Sequence, residues 1–559
     1  MKGCTVLLAF MFSIVAFGQN TYSKLINQAD NLLEEHQDEQ SKREAFSLYE
    51  KAFKLYPDSI QAVDLSEISV IASELKESDK AFAYLDRLIK IEHGQYGFPG
   101  WQNVTNKSAL EEYKNLLEDP RWTVIMNEAQ SLKSKFETNL KSIEKEFYKV
   151  KSTKQLNFTN GKKLYKEIKE YNPYVSKEKQ DYSISFNVND TAKTSFFIHL
   201  PKNYSPNKKY PLLFFLHGAV RYNEFQEFQT KELSLEGWNR YYTKYGDIND
   251  VILVFPSGSK KYNWMTSDEG FFMVPAMLRE VKKAINVDDN KVFIAGHSNG
   301  ATGSFSYLMK DSSSFAGFYG FNTQPKVFTG GTFVENSKNR SFINFSTDED
   351  YYYPPNANDS FTAMMNSIKA DYKEYRYKGF PHWFPQFDES EPAYEILFKD
   401  LKERKRNSFS EELSWEFDDN VYGSIDWLSN MKLDTLGQKA DWHKELNFKI
   451  TKWLEYDKDD KLQIIEVDKN AFDIPRLSGK VIACYKDNEF RIETSRIKSL
   501  SIAISPEMAN LEDKIKVYVN GKLYYDKKVD YNTAFMLDSF DKTRDRSTIW
   551  INTIDITLE

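Results

Sequence analysis

Gly296-His297-Ser298-Asn299-Gly300 directly follows the strand-like run Lys291 to Ala295, and a helix is expected through Ala301 to Met309. A serine that is to attack an acyl carbon must stand on a sharp strand-to-helix turn. Bulky neighbours would clash there, so glycines are needed two residues to each side. The next backbone N–H, that of Asn299, then faces the place where an oxyanion develops. By composition alone, a bare Gly-x-Ser-x-Gly arises in about one chain in five of this length, so its partners decide its meaning. Leu216-His217-Gly218 ends a second apolar run, and the loop after it can supply another oxyanion N–H, from Gly218 or Ala219. His217 in such a loop is expected to shape the turn rather than move protons. The base should come last in the chain. Gly379-Phe380-Pro381-His382-Trp383 follows the strand-like Lys373 to Tyr377, and His382 is one of only seven histidines. An acid must lie between serine and histidine to hold the imidazole tautomer. Ser346-Thr347-Asp348-Glu349-Asp350 offers three carboxylates after the run Phe342 to Phe345.

The elements that must position these groups are legible as alternation. Phe196 to Leu200, Leu212 to Leu216, Val251 to Phe255, Val292 to Ala295 and Phe342 to Phe345 are short, continuous apolar runs, as expected of strands buried on both faces of a mainly parallel sheet. Helical stretches such as Met273 to Ala284 and Phe361 to Lys369 lie between them. The pattern predicts an α/β layered domain over 181–403. Residues 22–140 read as helices, with a weak repeat (Ala45-Phe46 and Leu55-Tyr56-Pro57, then Ala81-Phe82 and Ile91-Glu92) close to a tetratricopeptide period. Such a region is either a groove for a protein partner or a packing cap. Asp119-Pro120 breaks the helical pattern, and the Lys/Glu-rich residues 141–180 read as a helical linker. In 410–559, Asn520-Gly521 between Lys516–Val519 and Lys522–Tyr525 signals a tight hairpin. With Phe490–Glu493, Leu500–Ile504 and Ile549–Leu558 it predicts a small β-sandwich-like domain.

Together, Leu216-His217-Gly218, Gly296-His297-Ser298-Asn299-Gly300, Asp350 and Gly379-Phe380-Pro381-His382 resemble the polyhydroxybutyrate-depolymerase and feruloyl-esterase-like branch of the α/β hydrolases. The resemblance covers 181–403. It continues more weakly into Tyr422-Gly423-Ser424-Ile425-Asp426-Trp427 and Val519-Asn520-Gly521-Lys522, which look like the accessory β-domain of some members. It implies cleavage of carboxylic esters, often acetyl or feruloyl groups on polysaccharides. It also implies a catalytic acid four residues before a proline, a spacing that Asp350 has from Pro354 and Asp348 lacks. Ala301 stands where many members have a second glycine, and the acid loop lacks the glycine common before the aspartate. Neither departure removes a catalytic group.

The whole chain sets bounds on these readings. At 559 residues it exceeds one compact domain. A net charge of −7 with both signs mixed excludes the concentrated basic face that nucleic acid requires. Lys2 ahead of the apolar run Thr5 to Phe17, with small residues at Ala16 and Gly18, reads as a signal peptide over 1–18. That run is too short to span a bilayer, and no later run would make a transmembrane segment. Removal of the leader leaves Cys484 as the lone cysteine, so no internal disulfide forms, which fits a bacterial periplasm or cell surface. Asp457-Lys458-Asp459-Asp460 lacks the glycine and terminal glutamate of a calcium loop, and no metal or cofactor is expected. The sequence therefore points to an exported serine esterase acting on a small or polysaccharide-linked ester. A prolyl-oligopeptidase-like peptidase, sharing the triad but lacking a visible propeller repeat, and a non-catalytic envelope binding protein are the competing readings.

Overall fold

The five apolar runs named above all lie in one eight-stranded sheet of the computed structural model. The structure describes residues 21–36, 38–92, 94, 99–151, 156, 160–220, 240–458, 461–472 and 476–558. The expected signal peptide, 1–18, falls outside these residues, as do Asp459 and Asp460. Among the described residues no helix is long and apolar enough to cross a membrane. Two compact units divide between Ile143 and Glu144.

The first unit is helical, as its three- and four-residue apolar spacing requires. Helices span Glu39–Leu55, Ala62–Glu74 and Ser78–Ile89. Ala45, Phe46, Tyr49, Ala52 and Phe53 form the buried stripe of the first, while Ile68 and Ala72 of the second and Leu85 and Leu88 of the third are fully buried. Pro120 opens the helix Pro120–Phe147, a position where its missing N–H costs nothing. The side chain of Asp119 accepts from the Arg121 N–H at 2.9 Å.

In the second unit the strands are β1 (Asp181–Asn187), β2 (Lys193–His199), β3 (Tyr210–Leu216), β4 (Ile252–Pro256), β5 (Val287–His297), β6 (Gly317–Phe321), β7 (Ser341–Glu349) and β8 (Tyr372–Pro381), in spatial order β1-β2-β4-β3-β5-β6-β7-β8. The pairs β1/β2 and β2/β4 are antiparallel, and every pair from β4 to β8 is parallel. Every residue of β4 and β6 is buried, because helices cover both faces of a parallel sheet. The helix Met273–Ala284 has the bounds expected from its pattern, and the one expected over Phe361 to Lys369 starts earlier, spanning Pro355–Ser367. Strand β6 was not expected. Strand β8 runs on to Pro381, so His382 follows the strand end itself rather than a loop beginning at Gly379.

The C-terminal strands are β9 (Glu412–Phe417), β10 (Leu428–Leu433), β11 (Lys449–Tyr456), β12 (Leu462–Asn470), β13 (Gly479–Lys486), β14 (Glu489–Ser495), β15 (Ile497–Ile504), β16 (Ile515–Val519), β17 (Lys522–Lys527) and β18 (Asn552–Thr557). They form a five-stranded sheet β17-β16-β14-β13-β9, a three-stranded sheet β10-β15-β18 and a separate β11–β12 hairpin. Asn520 and Gly521 turn between β16 and β17 with φ of 50° and 79°. The hairpin β11–β12 packs on the helix Pro355–Ser367, with Ile450 and Ala471 buried against Tyr353 and Ala357.

The segment at Asp545 and Arg546, just before β18, is locked onto β5 by buried charge. Lys282 Nζ lies 2.8 Å from Asp289, and Arg546 donates to Asp289 from both its backbone N–H and its Nε at 3.1 Å. Arg546 also reaches Asn286 at 2.8 Å, and Arg406 meets Asp545 at 2.7 Å. Burial would raise the Asp289 carboxyl, but Lys282 and Arg546 prevail and hold it at about 2, below its ordinary 3.8. Its stabilising contribution is therefore present above the ordinary carboxylate range and lost as pH falls through about 2. Replacing Arg546 by Ala removes one of the two cations on a buried carboxylate, leaving Lys282 alone with Asp289, and is expected to cost about 3–5 kcal/mol, measured as the shift of the urea unfolding midpoint. A midpoint within error of wild type would show that the cluster contributes nothing.

Candidate active site

Ser298 joins β5 to the helix Asn299–Lys310 with φ 55° and ψ −119°, a conformation a non-glycine residue holds only when its surroundings over-determine it. Those surroundings explain the flanking glycines. A Cβ on Gly296 would lie 2.2 Å from the Gly300 carbonyl carbon, and one on Gly300 would lie 1.8 Å from the Leu216 carbonyl oxygen. The Ser298 N–H donates to the Phe321 carbonyl at 3.1 Å, tying the turn to the end of β6. Asn299 is the first residue of a 12-residue helix, so its N–H stands at the positive end of the helix dipole.

Ser298, Asn299, Gly218, Ala219 and His382 line one cavity of about 590 Å³. Ala219 has φ 55°, which bends the loop after β3 where it meets this cavity. His382 Nδ1 lies 2.9 Å from Asp350 Oδ1, with both side chains almost completely buried. Its other ring nitrogen, Nε2, is buried and has no hydrogen-bond partner among the described residues. Of the three carboxylates at the end of β7, Asp350 is therefore the one on the imidazole. Asp348 accepts instead from the Gly379 N–H at 2.7 Å, and Glu349 is exposed.

His217 is turned away from proton transfer. Its Nε2 accepts from the Gly258 N–H at 2.9 Å, which leaves Nδ1 to donate to the Gly218 carbonyl at 2.7 Å. Burial lowers its pKa, so the ring is neutral and shapes the loop.

Two residues that the motifs did not single out hold the histidine in place. The His382 carbonyl accepts from His297 Nε2 at 2.9 Å and from Asn322 Nδ2 at 3.1 Å. Asn322 also donates to Thr347 at 2.9 Å, so one amide links the segment after β6 to β7 and to His382. Burial, reinforced by the neighbouring His382, keeps His297 neutral. The signal for His297 lay inside the serine motif, whereas that for Asn322 depended on recognising β6. At the rim stand Tyr352, whose ring centre lies 4.4 Å from that of His382, and Trp383 at 5.2 Å. Among the described residues no group of three or more His, Cys, Asp or Glu side chains could hold a metal ion.

Residues 191–322 match the esterase family model described as "Putative esterase". No curated protein matches the chain by sequence. Among solved structures, a thermostable esterase is 19% identical over 41% of this chain, with TM-score 0.34, and the chain spans 64% of that esterase's length. A ferulic acid esterase is 18% identical over 40% of this chain and 98% of its own, with TM-score 0.31. A thermophilic esterase of the Planctomycetes species Thermogutta terrifontis, bound to butyrate, is 13% identical over 40% and 92%, with TM-score 0.33. The strand order and the serine on its strand-to-helix turn give the central part of this chain the architecture of an α/β-hydrolase fold, and residues 191–322 of it are similar to the esterase model.

Proposed function

We propose that this chain hydrolyses carboxylic esters through an acyl-enzyme on Ser298. The observation that carries the reading is the buried Asp350–His382 pair, with an unpartnered imidazole nitrogen in the cavity that Ser298 lines. Ser298 Oγ attacks the acyl carbon while His382 Nε2 takes its proton. Asp350 holds the Nδ1–H tautomer and stabilises the imidazolium. The N–H of Asn299 and that of Gly218 or Ala219 receive the oxyanion. His382 then protonates the departing alcohol, and a water activated by the same nitrogen releases the acid. The substrate class we assign is an ester borne on a polysaccharide, acetyl or feruloyl. Wild-type protein is expected to cleave short p-nitrophenyl acyl esters and to be labelled by a fluorophosphonate at Ser298. Absence of both across a broad ester panel would overturn the reading and favour a binding role. Cleavage of prolyl peptides in preference to esters would favour the peptidase.

Residues 1–18 have the pattern of an export signal, so we place the protein in a bacterial periplasm or at the cell surface. Amino-terminal sequencing of exported protein should begin after Gly18. We read the first unit as a tetratricopeptide-like array for a protein partner or a cap, and the two C-terminal sheets as a sandwich-like accessory domain. No candidate catalytic group comes from the first unit. A chain beginning at Glu144 is therefore expected to keep its kcat on a small ester within about twofold, because the truncation removes no group proposed to touch the reacting atoms. A well-folded truncation with a much lower rate would show that the helices shape the site.

A further inference from the structure

The hairpin β11–β12 meets the loop that carries Asp350. Four consecutive residues of that loop divide the work: Asp350 meets His382, Tyr352 packs on the imidazole, Tyr351 faces Tyr456 of β11, and Tyr353 is buried beneath the hairpin. Trp453 adds an edge-to-face contact with Tyr353 at 6.3 Å. Ring centres lead outward from His382 to Tyr352 at 4.4 Å, on to Tyr351 at 4.1 Å and on to Tyr456 at 5.0 Å. Trp383 also packs on His382, edge to face, with ring centres 5.2 Å apart. Tyr352, Trp383 and Tyr456 are 47%, 43% and 47% exposed, a large aromatic surface to leave in water at the mouth of a cavity.

The chemistry says which part of the substrate passes over these rings. The imidazolium that took the serine proton returns it to the departing alcohol oxygen. The alcohol therefore leaves on the side of the cavity that His382 forms, where the strip begins. Half-exposed tyrosines offer an apolar face rimmed by hydroxyls. That suits a sugar ring, with one C–H face and a polar edge, whereas a lipid alcohol would require an enclosed apolar slot.

Resting on the ester-hydrolase reading above, we infer that the β11–β12 hairpin completes the alcohol subsite, that this subsite takes a sugar of a glycan, and that Tyr456 is a specificity-determining residue.

The test compares two acetate esters on the full chain: ethyl acetate, too small to reach Tyr456, and acetylated xylo-oligosaccharides. Tyr456→Ala and Tyr456→Thr are expected to lower kcat/KM on the oligosaccharide about tenfold, mainly through KM, and Tyr456→Phe to keep most of it. Ethyl acetate should change by less than about twofold, because the ring touches no reacting group. Equal effects on both esters in the Ala and Thr variants, or no effect on either, would overturn the inference. So would a wild-type protein that cleaves ethyl acetate but no acetylated oligosaccharide. A wild-type protein that cleaves neither ester and takes no fluorophosphonate label would overturn the ester-hydrolase reading itself, and the inference with it.

Discussion

Replacing Ser298 by Ala is expected to lower kcat on a short acyl ester by about five to six orders of magnitude and to abolish fluorophosphonate labelling. The substitution removes one atom. Alanine meets the same steric demands as serine at φ 55°, and the turn is held by the Ser298 N–H bond to Phe321, which alanine keeps. The cavity and both oxyanion donors are unchanged, so KM should stay within about threefold, because binding of the ground state does not depend on the nucleophile. The remaining rate should be that of a site that still binds and polarises the ester, about 10³–10⁴ above water. Retention of a hundredth of the wild-type rate (on the order of 2.7 kcal/mol in barrier) together with undiminished labelling would move the nucleophile elsewhere.

Asp350→Asn is expected to lower kcat by about three to four orders of magnitude, and Asp348→Asn by less than about tenfold. Asp350 Oδ1 accepts from His382 Nδ1 at 2.9 Å and from the Tyr352 N–H at the same distance. An amide there can offer its NH₂ to the ring, which favours the tautomer with the proton on Nε2, where it cannot accept from serine. It also withdraws the negative charge that an imidazolium needs in a buried place. Asp348 accepts from the Gly379 N–H at 2.7 Å. An asparagine oxygen can still accept that bond, and a neutral backbone hydrogen bond contributes about 0.5–1.5 kcal/mol. Both variants are compared on one ester by kcat and by KM. The reverse ranking would hand the role of the acid to Asp348.

Strands with continuous apolar runs were legible because burial on both faces leaves no polar alternation to hide them. Strand β6, Gly317-Phe318-Tyr319-Gly320-Phe321, was not. Its two glycines weaken any strand reading, and their reason is tertiary: a Cβ on Gly320 would lie 2.0 Å from Thr323 Oγ1, and one on Gly317 would lie 2.7 Å from the Arg404 side chain. With β6 unrecognised, Asn322 at its end carried no local signal as a support for His382. The histidine itself, a residue type that is rare in this chain, stood out by type and by position.

By itself the sequence determined the alternation of the central region, the strand–serine–helix turn, the helical character of the first unit and the Asn520-Gly521 hairpin. Each of these follows from local sterics or from a repeat period. Only the tertiary structure shows the contact itself: the spacing to Pro354 favoured Asp350, and the path of the chain at the end of β7 brings Asp350 to the imidazole and Asp348 to the Gly379 N–H. The tertiary structure alone bound the segment at Asp545 and Arg546 to β5, since a buried network of Lys282, Asp289, Arg406, Asp545 and Arg546 joins residues up to more than two hundred positions apart. It alone brought Tyr456 to Tyr351. Long-range contacts of this kind have no period, and they exist only once the strands that carry them have packed.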